Sequence, residues 1–337
     1  MKPLEVSKTA LDVHRSAFVV DLHCDLLFSN LFLRRDWGTR HGRNPLPFAP
    51  LMGHVDLPRM REGGLDLVCL GIVTNPFRRK GGDRAIRKAL GHMNEQATLH
   101  ADRLVVARTS QEMQRARQAG QISCFAGLEG AHPLHGSLEH LEAYRDQGMG
   151  FVGISHFTRN EAACPMRAVG SRPEEPMTDF GFALVDACWN LGLLVDVAHL
   201  NRAGVFQVCE RASKPVICSH TVMHALSRSW RGIDDAQALA IARTGGVIGM
   251  MFHPGYLGGW GVDTLVAHLT HLRDLVGPEH VGIGSDWEGF ILCVRGLESA
   301  DRLPLLTEAL LRAGWREEHV RMALGDNVLR VIADAVG

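Results

Sequence analysis

Eight apolar runs of strand length are spread along the 337-residue chain, and most of them end on a side chain that can bind a metal. The first, Phe18-Val-Val-Asp-Leu-His-Cys-Asp25, runs straight into His23-x-Asp25. Ser123 to Glu129, Phe151 to His156, Leu193 to His199 and Pro215 to His220 also end in ligand types, and Val281 to Asp286 ends in a carboxylate. Leu65 to Val73 and Gly246 to His253 complete the set. Segments with helical periodicity lie between them, such as Asp179 to Asn190 and Asp235 to Arg243. Residues two apart on a strand point the same way, so His23 and Asp25 can reach one ion together.

Strands this apolar are expected in a parallel sheet covered outside by helices and filled inside by layered side chains. The alternation predicts an α/β fold, a (β/α)8 TIM barrel with extra terminal helices and long loops at its C-terminal face. Strand ends converge there on one mouth, where ligands from distant parts of the sequence would meet. A doubly wound open sheet gives a similar alternation. It would not gather ligands from the first, third, fifth, sixth and eighth strands at one switch point. The length exceeds the barrel norm of about 250 residues, and the surplus fits insertions, so one domain over residues 1–337 is expected.

A net charge of -1 gives no electrostatic case for nucleic acid or an acidic membrane as partner. No stretch approaches the roughly 20 apolar residues of a membrane span, so no membrane anchor is expected. Met1 to Arg15 lacks the apolar core and cleavage site of a signal peptide, which predicts a cytoplasmic protein. Eight cysteines without a CxxC pair argue against a disulfide framework. Cys24 falls on the opposite face from His23 and Asp25, as a core residue and not a nucleophile. His132, His135, His140, His224, His268, His271, His280 and His319 fall in loops or on polar helix faces, which predicts solvent exposure.

Two irregular stretches are candidate lids: roughly Leu31 to Met60, carrying Arg34, Arg35, Arg40 and Arg43, and Arg159 to Pro176 after the fourth strand. Long loops at the catalytic end of a barrel commonly cover or shape a site.

Taken together, His23-x-Asp25, Gly127-Leu-Glu-Gly130, Ser155-His156, Asp196-Val-Ala-His199, Ser219-His220, Arg231-Gly-Ile-Asp-Asp235 and Gly284-Ser-Asp-Trp-Glu-Gly289 resemble the membrane (renal) dipeptidase family, zinc metallopeptidases of the amidohydrolase superfamily. The resemblance spans nearly the whole chain. It implies two zinc ions per chain, one held by His23 and Asp25, the other by His199 and His220, with Glu129 bridging both. The activity it implies is hydrolysis of dipeptides, L,L and also L,D, by a metal-bridging hydroxide. In that scheme Asp286 shuttles the proton, His156 contacts the substrate carbonyl and Arg231 grips the terminal carboxylate. It also implies a homodimer. Asp196 and Ser219 could orient the ligands that follow them.

The chain departs from the family at three places. His253 ends the seventh strand where several members carry an aromatic hydroxyl that helps bind substrate. Trp287 and Glu288 replace a smaller pair, which would narrow the mouth. Arg159, in the loop after the fourth strand, could favour an acidic substrate side chain.

Rival superfamily members use His-x-His on the first strand or a modified lysine on the fourth. This chain has neither, and its lysines are Lys2, Lys8, Lys80, Lys88 and Lys214. Another small amide, β-lactam or ester with a free carboxylate is the alternative substrate. A non-catalytic scaffold barrel would ordinarily show a broken ligand set, and none of the six groups is missing.

Overall fold

The computed structural model describes residues 5–33, 35–42, 51–75, 77, 80–168 and 171–336. Arg34 and Arg43 of the first candidate lid lie outside them. Eight parallel strands follow one another around the sheet in sequence order: β1 Val20–Cys24, β2 Leu67–Ile72, β3 Ile122–Leu128, β4 Met149–Gly153, β5 Leu194–Asp196, β6 Val216–Met223, β7 Val247–Met250 and β8 Val281–Ile283. Two short strands, Leu104–Val106 and Gly232–Ile233, pair in parallel alongside β3 and β6. Past the last ladder of β8 the ring closes through main-chain bonds, Asp286 N–H to the His23 carbonyl (3.0 Å) and Asp25 N–H to the Trp287 carbonyl (2.8 Å). The architecture is the expected parallel (β/α)8 barrel.

Side chains alternate along these strands, and the alternation sorts the core. Val20, Leu22, Leu67, Cys69, Phe125, Phe151, Leu194, Ile217 and Val247 form one cluster with Val328, Val331 and Ile332 of the closing helix Asn327–Ala335. The second and larger cluster joins the other strand faces, such as Val68, Leu70 and Ile72, to covering helices such as Gly82–Leu99 through Ile86, Leu90 and Met93. Helix starts follow ordinary capping chemistry. Thr178 caps Asp179–Leu191, and Asp234 with Gln237 makes a capping box for Asp235–Arg243.

Several expectations are corrected. The first candidate lid is partly helical, since a helix spans Leu26–Leu33 and another Leu57–Glu62. His132 and His268 are buried: His268 accepts from the Met223 N–H, and its Nε2 lies 3.0 Å from the Leu257 carbonyl. Trp287 turns into the larger cluster against Phe252 and donates to the Leu297 carbonyl, so it does not narrow the mouth. Glu288 is buried too, and its carboxylate takes the N–H groups of Gly53, His54 and Val55, which ties the segment before Leu57–Glu62 to the end of β8.

Candidate active site

Two backbone irregularities decide what reaches the barrel mouth. Register shifts fall between Asp21 and Cys24 in β1 and between Cys218 and Thr221 in β6. Such a shift re-aims the side chains that follow. Leu22 and Ile217 therefore pack in the interior cluster, while His23 and His220, next or nearly next in sequence, reach the mouth. Their rings stack there with centroids 3.8 Å apart. His199 and Asp286 arrive differently, each just past its strand with a left-handed backbone of φ 64°.

Four imidazoles converge on one oxygen. Glu129 Oε1 lies 3.0 Å from His199 Nε2, 3.3 Å from His220 Nε2, 3.4 Å from His156 Nε2 and 3.6 Å from His23 Nε2. Asp25 Oδ1 stands 3.5 Å from His23 Nε2. Asp286 completes a further group with His23 and His220, their ligand atoms all within 4.8 Å of one another. All seven residues are buried. Two glycines keep room for them: a Cβ on Gly71 would stand 2.4 Å from Asp25 Oδ1, and one on Gly289 would stand 2.7 Å from Asp286 Oδ1 and 2.8 Å from Asp25 Oδ2.

Two braces of one design hold this rim. Ser219 Oγ donates to Asp196 Oδ2 (2.5 Å) and lies 2.8 Å from His220 Nδ1, while Asp196 Oδ1 takes the N–H groups of Ser219 and Ala198. The hydroxyl proton goes to Asp196, so His220 must give its Nδ1–H to Ser219 and keep its lone pair on Nε2, facing Glu129. On the seam between β8 and β1, Ser285 gives both its Oγ–H and its N–H to Asp21, whose Oδ1 also takes the His23 N–H.

The residues fit a cation. His23 Nε2 and Asp25 Oδ1 are buried without a hydrogen-bond partner, which native proteins rarely leave so. His199 Nε2 and His220 Nε2 face each other at 3.0 Å beside a carboxylate oxygen. Nitrogen and oxygen donors in this mixture suit a divalent transition metal. The electrostatics agree. Burial and the charge of Asp25 push the Glu129 carboxyl well above its usual range and the Asp286 carboxyl to about 7. Burial would lower His23, yet the charges of Glu129 and Asp25 hold it at about 10. Burial drives His156, His199 and His220 well below the usual imidazole value, with Arg231 or neighbouring histidines adding to it.

The other candidate residues are more scattered. Arg231 is 2% exposed and donates to the His220 carbonyl (2.9 Å) and to Met166 Sδ (3.7 Å). His253 caps the short helix Pro254–Leu257, its Nδ1 accepting from Gly255 and Tyr256, and its ring lies tilted against Tyr256 with centroids 4.5 Å apart. Arg159 forks onto both oxygens of Glu175. Sequence reasoning passed over a chain of aromatic rings at the mouth. Phe157 packs on His156 and His199, Trp230 on Phe157, and Tyr256 on Trp230. Cys24 is fully buried and burial raises its thiol well above the ordinary value, so it is inert.

A parallel barrel that gathers histidines and carboxylates from six strand ends beside a buried arginine defines a metal-dependent hydrolase. The sequence profile of the membrane dipeptidase family, peptidase family M19, matches residues 7–336, and the chain belongs to that family of peptide-bond hydrolases. Dipeptidase tcpJ of Claviceps purpurea (strain 20.1) is 25% identical over 313 residues, 86% of this chain and 71% of its own. The crystal structure of dipeptidase AC, a metallopeptidase of family M19, superposes with a TM-score of 0.85 at 26% identity, covering 95% of this chain and 99% of that one. A metallopeptidase from Rhodobacter sphaeroides, liganded with a phosphinate mimic of L-Ala-D-Ala, superposes with a TM-score of 0.83 at 25% identity over the same shares. Among the described residues no helix is long and apolar enough to cross a membrane.

Proposed function

We propose that this protein is a zinc-dependent dipeptidase that holds two zinc ions and hydrolyses the amide of L,L and L,D dipeptides with a free C-terminal carboxylate. The observation that carries this reading is the convergence of His23, Asp25, His199 and His220 on Glu129 at the mouth of the barrel. The relatives support it, being named as dipeptidases or holding a dipeptide mimic. His23 and Asp25 would hold one ion and His199 and His220 the other, with Glu129 shared. Zinc, when bound, lowers the pKa of coordinated water toward about 7 and polarises a carbonyl oxygen.

The remaining work falls to the chain's own groups. A carboxylate oxygen of Asp286 takes the proton of the attacking water and returns it to the leaving amine nitrogen. Burial and Asp25 favour its protonated form while His23 and Arg231 oppose it, so it can hold a proton between the two transfers. His156, kept neutral by burial, donates from Nε2 to the substrate carbonyl oxygen. Arg231 orients the substrate by forking onto its C-terminal carboxylate with the N–H groups that His220 and Met166 leave over. His253, whose Nδ1 is taken by the helix cap, offers Nε2 to the pocket.

The chain works as one barrel domain over residues 1–337, its two ends tied where Ser7 donates to Glu308. A cytoplasmic location is supported by its eight cysteines, all free. Homodimerisation rests on the family resemblance.

The test is turnover of a panel of L,L and L,D dipeptides before and after chelation and zinc return, with metal content measured in parallel. Activity that is lost with chelator and restored with zinc at two ions per chain is expected. A protein that binds two ions and cleaves no dipeptide would refute the reading.

A further inference from the structure

The segment after β4 runs back toward the metal cluster. Pro165 bridges antiparallel to Leu200, and Met166 donates its N–H to the carbonyl of His199 at 2.7 Å. Met166 Sδ in turn accepts from Arg231. Residue 166 is thus fixed against both a candidate ligand and the candidate carboxylate clamp, and residue 167 must emerge beside them. Arg167 does so with its guanidinium carbon 5.3 Å from the centre of the Trp230 ring. Trp230 touches Tyr256 (5.5 Å) and Phe157 (6.1 Å), and Phe157 stands 5.0 Å from His199. A continuous aromatic wall therefore leads from the metal cluster to Arg167.

Arg167 is exposed and has no hydrogen-bond or ion-pair partner among the described residues. Arg159, in the same loop, is engaged by Glu175. The phenol of Tyr256, raised by burial, feels the charges of Arg231, Asp286 and Arg167, which places the two guanidiniums around one volume. A planar cation laid on an indole face is held in orientation while its N–H edge stays available for a carboxylate.

We propose that Arg167, seated on Trp230 beside Arg231, reads a second carboxylate on the substrate, so that the preferred substrates are dipeptides with Asp or Glu at the C-terminal position. The assignment rests on the dipeptidase reading above. Arg231 would take the main-chain carboxylate and Arg167 the side-chain one. The nearness of Met166 to Arg231 puts Arg167 beside the C-terminal residue, not the N-terminal one.

The experiment compares kcat/KM for Ala-Glu and its uncharged isostere Ala-Gln, in both C-terminal configurations, for the wild type, Arg167→Gln and Arg159→Gln. Calorimetric binding of phosphinate mimics of the same pair supplies a readout independent of turnover. The wild type should favour Ala-Glu about ten-fold, the size of one charge-assisted hydrogen bond at a partly solvated site, mainly through KM. The preference should shrink with added salt. In Arg167→Gln the ratio should fall to about one for both turnover and binding, and in Arg159→Gln it should persist. Equal wild-type values for the two substrates, or a preference that survives Arg167→Gln and is lost in Arg159→Gln, would overturn this assignment and leave the dipeptidase reading intact. Cleavage of no dipeptide at all, with no binding of either mimic, would overturn the dipeptidase reading and this one with it.

Discussion

His199 and Asp286 share one backbone conformation, φ 64°, although they follow different strands, β5 and β8. A non-glycine residue in the left-handed region is uncommon, and two in one site place strain where the chemistry is proposed to occur. Both turns place the side chain in the buried cluster of candidate ligands.

That conformation makes Asp286→Asn an informative variant, since asparagine tolerates left-handed backbone. The fold and the metal content should be retained. Removing the proton acceptor should lower kcat by about 10²- to 10⁴-fold. Circular dichroism, zinc analysis and dipeptide turnover on one preparation check it, and near-normal kcat would remove Asp286 from the mechanism.

Ser219→Ala takes away the oxygen that fixes the proton on His220 Nδ1. Outer-shell partners of this kind are worth about 10- to 100-fold in metal affinity. Asp196 also loses a buried donor, at a cost of about 1–3 kcal/mol in stability. Zinc competition titration and thermal unfolding should both register the change; an unaltered zinc affinity would mean that the brace serves the barrel alone.

Gly71→Ala inserts a methyl where Asp25 Oδ1 stands. The side chain must swing away from His23, and a misplacement near 1 Å costs about 10²-fold in rate. Zinc content should drop from two ions toward one per chain while the unfolding curve stays cooperative. Two retained ions with full activity would show that Asp25 is not held where the geometry implies.

Zinc loading should release protons. In the metal-free site His23, held at about 10 by the charges of Glu129 and Asp25, carries a proton at pH 7 and must lose it to coordinate. His199 and His220, lowered by burial, have none to lose. About one proton should leave per chain at pH 7, and apparent zinc affinity should rise with pH. Calorimetry in buffers of different ionisation enthalpy measures this directly; heats that do not depend on the buffer would contradict it.

Much of this arrangement was legible in the chain because a parallel barrel converts strand ends into neighbours. His23, Asp25, Glu129, His199, His220 and Asp286 could be placed at one mouth from apolar runs and their terminal residues alone. The register shifts that deliver His23 and His220 were not legible, since they depend on pairing with adjacent strands. Strand boundaries were read too late for β4, β5 and β8, because the ladders stop at Gly153, Asp196 and Ile283 and the functional residues sit just beyond, in turns. The rim escaped for a different reason. Phe157 and Trp230 come from two loops and Tyr256 from the short helix Pro254–Leu257, and nothing in their local sequence says that they meet. Likewise, whether Arg159 or Arg167 is paired was decided by Glu175, a partner that spacing alone does not reveal.

The two Asp–Ser braces, Asp21 with Ser285 and Asp196 with Ser219, are complete without any cation. Each brace joins two neighbouring strand ends through protein atoms alone, so the polypeptide itself helps to set the aperture of the mouth. With imidazole and carboxylate donors in this mixture, occupancy of the seat becomes a matter of competition among first-row divalent metals and of what the surroundings supply.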